Sequence, residues 1–166
     1  LFGKSPWKNL ICTGFINAAD GKKMSKKLKN YTDPMELMDK TSADSFRFLM
    51  LSSPLTNGEN FALADKDVVD VARKLSMIWN MYDFFTMYAE VDGWEFDGEL
   101  KDPLGELTNP LDIWIVSRLH QLVNDVEKGL DGYNLQDATK PILPFLDDAS
   151  NWYVRRSRRR FWKSED

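Results

Sequence analysis

The chain has one cysteine, Cys12, and one histidine, His120. A single cysteine excludes an intrachain disulfide and any multi-cysteine zinc site. His120 falls mid-helix beside an apolar stripe and reads as a surface or packing residue. A Cys12–His120 nucleophile pair lacks the third residue that would orient the base. No apolar run approaches the ~18 residues a membrane-spanning helix needs. No signal-peptide pattern follows Leu1, and the missing initial methionine leads us to expect a piece of a longer protein. There is no Gly-x-x-x-x-Gly-Lys-Ser/Thr loop for phosphates, no internal repeat and no low-complexity tract.

Hydrophobic residues make up 43% of the 166 positions, enough for a real core in one domain or one domain plus part of another. The net charge of −4 conceals an uneven distribution. Residues 1–30 carry +6, residues 151–166 carry +4, and the stretch between them carries −14. Two basic ends on an acidic body fit two discrete anion contacts and not general polyanion binding.

The first basic end is Asp20-Gly21-Lys22-Lys23-Met24-Ser25-Lys26-Lys27-Leu28-Lys29-Asn30, with five lysines and no apolar run to bury them. Lysine is rarely fully buried, so these ammonium groups face water or an anion. Residues 9–16 are apolar and partly β-branched and predict a buried strand. Ala19-Asp20-Gly21 predicts a turn, which places the lysines on a loop. Asp33-Pro34-Met35-Glu36 predicts a helix start with Asp33 as cap and Glu36 closing a capping box. Ser42-Ala43-Asp44 opens a second helix that stops before Pro54, with loop over 55–60.

From about Asp65 to Ala89, Val68, Val71, Ala72, Leu75, Ile78, Trp79, Tyr82 and Phe85 recur at helical spacing. A connection rich in glycine and proline covers 92–108. Asn109-Pro110 starts another helix, with Leu111, Trp114, Ile115, Leu119, Leu122 and Val126 on one side and Gly129 at its end. The last helix starts at Asn134, is kinked or delayed by Pro141 and Pro144, and carries a stripe of Ile142, Phe145, Leu146, Ala149, Trp152 and Tyr153. Helices with one apolar stripe must pack on one another. The expected fold is mainly α, a helix bundle preceded by a small α/β remnant.

Lys23-Met24-Ser25-Lys26-Lys27 resembles the Lys-Met-Ser-Lys-Ser loop of class I aminoacyl-tRNA synthetases. Residues 1–11 before it, and Asn151-Trp152-Tyr153-Val154-Arg155-Arg156-Ser157-Arg158-Arg159-Arg160-Phe161-Trp162 after it, are similar to the isoleucyl-tRNA synthetase family. The resemblance runs along essentially the whole chain. It implies the end of a nucleotide-binding catalytic domain at 1–30, a stem-contact connector at 31–62, and an incomplete anticodon-binding bundle at 63–166. It implies ATP as substrate with Mg2+ beside it, tRNA(Ile) and isoleucine as partners, and a cytoplasmic monomer. It also implies that Lys26 contacts the ATP phosphates, with Lys23, Met24, Ser25 and Lys27 completing the loop. Lys27 and Lys29 depart from the usual Ser and Gly. The second signature of the class, His-x-Gly-His, cannot be present with a single histidine.

Arg155, Arg156, Arg158, Arg159 and Arg160 extend the last helix. At spacings of three and four, Arg155, Arg158 and Arg159 share a face, with Arg156 and Arg160 on the next. An RNA backbone is their natural ligand, and Asp147 and Asp148 are the rival partners within the helix. Trp152 falls on the apolar stripe and is expected in the core. The alternatives are a valyl or leucyl enzyme, or a non-catalytic RNA-binding helical module.

Overall fold

The computed structural model describes residues 3–99 and 103–163. Strand β1 (Ile16–Ala18) pairs in parallel with β2 (Phe61–Leu63), Ile16 opposite Phe61 and Ala18 opposite Leu63. Helices α1 (Pro34–Lys40) and α2 (Ala43–Ser52) form the crossover between the strands. A 28-residue helix, α3 (Asp65–Asp92), follows. After a connection over 93–109 come α4 (Pro110–Asp131), α5 (Leu135–Thr139), α6 (Ile142–Asp147), a π-helical stretch (Asp148–Val154) and α7 (Arg155–Lys163). The chain is mainly α with a small α/β start, as expected. Among the described residues no helix is long and apolar enough to cross a membrane.

Local chemistry sets the helix starts. The Asp33 carboxylate accepts from the Met35 amide at 2.8 Å, with Pro34 at the first helical position. Ser42 accepts from the Ser45 amide, Asn109 from Leu111, and Asn134 from Asp137. Each bond satisfies one of the amides that a helix leaves without a partner at its start. Glu36 does not close a capping box; its carboxylate takes the Lys40 ammonium one turn on.

Leu37, Leu63 and Val68 form a buried cluster, with Ile16, Met24, Phe46, Leu49, Met50 and Phe61 packed around it. This cluster ties both strands, α1, α2, the start of α3 and the lysine loop into one body. The strand expected over 9–16 is mostly unpaired: Leu10 and Phe15 are 68% and 78% exposed. Within 9–16 only Ile16 joins the ladder, opposite Phe61 of the three-residue β2. Gly14 sits so close to the Glu59 carbonyl that a Cβ would lie 1.9 Å from its oxygen.

In α3 the expected stripe is buried only at its start, through Val68 and Val71. Beyond Leu75 the half-buried residues are Met77, Met81, Phe84, Thr86, Tyr88 and Ala89, and α3 packs on α6 and the π stretch. Phe84 and Tyr88 both pack on Phe161, at 5.1 and 5.6 Å between ring centres. Ile78, Trp79, Tyr82 and Phe85 remain exposed. Two adjacent apolar faces share this helix, and the periodicity marks only one of them.

Gly129 does not end α4, which runs on to Asp131. It is buried where α5 crosses: a Cβ there would lie 2.6 Å from both the Ala138 Cα and amide nitrogen. Those are backbone atoms and cannot move aside cheaply. Gly129→Ala should therefore lower the urea midpoint by the equivalent of about 1–3 kcal/mol. Gly105→Ala, where a Cβ meets nothing within 4 Å, should leave it unchanged. Equal midpoints for the two variants would refute the packing assigned to α5.

Candidate functional site

After β1 the chain turns tightly. The Gly21 amide donates to the Ala18 carbonyl and the Ala18 amide to the Lys22 carbonyl, both at 2.8 Å. Gly21 takes a φ of +77°, the left-handed region open to glycine. The returning strand bridges Asn17 to Lys23. Asn30 then closes the loop's base. Its side-chain oxygen accepts from the Ser25 amide at 2.9 Å, and its Nδ2 donates to the Lys23 carbonyl at 3.2 Å. The Leu28 amide donates to the Ser25 carbonyl. Met24 is half-buried against the Leu37–Leu63–Val68 cluster.

The five motif residues therefore divide into anchors and free ends. Met24 and Ser25 hold the loop to the body, while Lys23, Lys26 and Lys27 are exposed. Lys23 and Met24 line a cavity of roughly 380 Å³ with Phe15, Ile16, Asn17 and Asn60. Lys26 lies elsewhere, with Lys29, Tyr31, Thr32, Asp33 and Glu36 around an open cleft of roughly 540 Å³. The loop does not gather all its lysines at one point. Among the described residues, Lys26 and Lys27 have no carboxylate partner. The Lys22–Asp20 pair is 3.9 Å apart with both side chains exposed, so it adds little. Asn30 was not legible as a site residue, because a clamp reaching back seven residues leaves no pattern in the sequence.

The arginine run is sorted by what lies beneath it. Ser157 is 1% exposed, and Tyr153 and Phe161, four residues either side, are half-buried. This face of α7 presses inward. Arg160 lies along its edge and forks onto Asp112 of α4, Nη1 to Oδ1 at 2.6 Å and Nη2 to Oδ2 at 2.8 Å. The Arg160 hydrogen bonds hold the Asp112 carboxyl below the usual aspartate range, against its burial and with help from the Tyr153 hydroxyl. Burial, then the Asp112 charge, pushes the Tyr153 phenol up.

Among the described residues, the rival pairing of the run with Asp147 and Asp148 does not form. Asp148 accepts from Nε and Nη2 of Arg118 on α4, at 3.1 and 3.0 Å. Asp147 accepts from the Asn151 side chain. Trp152 is not in the core: it is 49% exposed and carries the Arg156 guanidinium 4.3 Å above its ring. The cause is the π-helical stretch, in which each residue turns the chain less than in an α-helix. Trp152 thus leaves the stripe that α spacing predicts, while Tyr153 stays half-buried. Asp112 lies 48 residues from Arg160, and its place in the first turn of α4 already explains an acid there, so the sequence gives no signal of the pair.

Comparison with known proteins agrees at both ends. Residues 1–62 match the family model for tRNA synthetases class I (I, L, M and V). Residues 112–166 match the anticodon-binding domain of tRNA ligase. The isoleucine–tRNA ligase of Treponema denticola is 42% identical over all of this chain, which spans 16% of that protein. That of Protochlamydia amoebophila is 41% identical with the same coverage. Among solved structures, a ternary complex of Agrobacterium radiobacter LeuRS with tRNA and LeuAMS superposes with a TM-score of 0.66. It is 19% identical and covers 87% of this chain and 17% of that one, a likeness of fold.

Proposed function

Because the chain belongs to the class I tRNA synthetases and matches isoleucine–tRNA ligases along its whole length, we propose that the full-length protein activates isoleucine with ATP and transfers it to tRNA(Ile). The observation that carries this reading is the lysine loop: exposed ammonium groups, those of Lys26 and Lys27 without a carboxylate partner among the described residues, on a segment fastened at its base by Met24 and Asn30. The isoleucine carboxylate attacks the α-phosphorus of ATP, an acyl–phosphate bond forms, and pyrophosphate leaves with the electron pair. Negative charge grows on the departing phosphates. A cation that meets this charge more closely in the transition state than in the ground state accelerates the step. Lys26 takes that role. Lys23, Met24, Ser25 and Lys27 complete the ATP site, with Lys23 and Met24 at the other cavity.

By this reading residues 1–30 end the catalytic domain, 31–62 form the stem-contact connector, and 63–166 begin the anticodon-binding bundle. Among the described residues no three of His, Cys, Asp and Glu group to hold a metal. ATP would bring the Mg2+ of the reaction on its own phosphates. Arg155, Arg156, Arg158 and Arg159 are the RNA-facing members of the run, and Arg160 secures the helix that carries them. The full-length protein works as a cytoplasmic monomer.

Isoleucine-dependent ATP–pyrophosphate exchange tests the reading. The full-length protein should catalyse it. The 166-residue chain alone, whose single histidine cannot make a His-x-Gly-His signature, should not. Exchange by the short chain, or none by the full-length protein, would overturn the assignment.

A further inference from the structure

Between α3 and the π-helical stretch lies a surface groove of roughly 290 Å³. Asn80 and Phe84 line it from α3, Ser150 and Asn151 from the π turn, and Arg155 and Arg158 from the start of α7. The Arg158 guanidinium is held over the Phe84 ring at 5.9 Å, which restricts its motion without neutralising its charge. Arg155 has no carboxylate partner among the described residues. Asn151 spends one amide hydrogen on Asp147 and keeps the other. Two unneutralised guanidinium groups, two side-chain amides and a hydroxyl therefore converge on one concavity. The π turn, a feature frequent at functional sites, supplies three of the lining residues, Ser150, Asn151 and Val154.

We infer that this groove seats a single backbone phosphate of the bound RNA, gripped by Arg155 and Arg158 and flanked by the amides of Asn80 and Asn151. The groove lies at the lower end of ligand-pocket sizes, about 300–1,000 Å³. That suits a phosphodiester with its ribose. A nucleobase is disfavoured, because Phe84, the one aromatic wall, already has Phe161 against its ring and Arg158 over it. The inference rests on the reading that the full-length protein binds tRNA, and it divides the run: Arg155 and Arg158 share one phosphate seat.

Titrating tRNA(Ile) onto the full-length protein at several salt concentrations tests it. Arg155→Gln and Arg158→Gln should each weaken binding about tenfold, the loss of one charged hydrogen bond. Each should also lower the log–log salt slope by about 0.7–0.9. Asn80→Asp, which sets a carboxylate in the groove, should weaken binding comparably with the melting temperature held. Lys74→Gln, an exposed site on α3 outside the groove, should change nothing. If wild type binds with a steep slope and the Arg155 and Asn80 variants match it, the phosphate seat is wrong and tRNA binding stands. If wild type does not bind tRNA(Ile), the functional reading fails, and the seat with it.

Discussion

Lys26→Ala in the full-length protein should lower the rate of isoleucine activation by about a hundredfold, the scale of one lost electrostatic stabiliser. The isoleucine concentration that half-saturates the enzyme should barely move, because the contact of Lys26 strengthens as charge develops on the phosphates. The geometry favours an effect on turnover alone. Lys26 is exposed and touches nothing that holds the loop, whereas Met24 packs in the core and Asn30 ties Lys23 to Ser25. Removing its ammonium should leave the loop's base intact. Asn30→Ala should do the reverse, loosening the base while every lysine remains. A Lys26→Ala enzyme with unchanged turnover would remove this residue from the chemistry.

Arg160→Gln should cost about 2–3 kcal/mol of stability, toward the lower end for a broken buried ion pair because the arginine side of the pair reaches solvent. The Asp112 side chain is only 12% exposed, so without Arg160 its charge is left nearly buried. A double variant, Asp112→Asn with Arg160→Gln, removes the stranded charge and should recover much of the loss. The pair also sets an acid limit. The folded Asp112 titrates below its unfolded value, so its contribution is present above about pH 3.9 and is lost as the pH falls through the lower folded value. Urea midpoints at pH 7 and in the acid range, for wild type and the single and double variants, read both effects. Equal midpoints for wild type and Arg160→Gln at pH 7 would remove the latch.

Much of the architecture was legible because its causes are local. Asp33, Ser42, Asn109 and Asn134 begin helices where their side chains reach an amide two or three residues ahead, and such spacing is visible in a sequence. What was not legible depends on distant partners. Strand β1 is short and shifted because it matches β2, 45 residues on in the Ile16–Phe61 register. In the second half of α3, Phe84 and Tyr88 are half-buried because Phe161 of α7 lies against them, and Trp79 and Tyr82 stay exposed. At the site, the motif and the arginine run were readable as residue types. Their division into anchors, free cations and a latch was not, since it depends on Asn30 folding back and on Asp112 waiting across the bundle. Trp152 was misplaced for a local reason: α spacing was applied through a π turn.

Charging of tRNA(Ile) by the full-length protein tests the central claim most directly. Labelled isoleucine, valine and leucine should be offered separately, with ATP and tRNA in excess. The account predicts transfer of isoleucine to tRNA(Ile), dependent on ATP and nearly abolished in Lys26→Ala. Stable charging with leucine or valine in preference to isoleucine, or no charging at all, would contradict it.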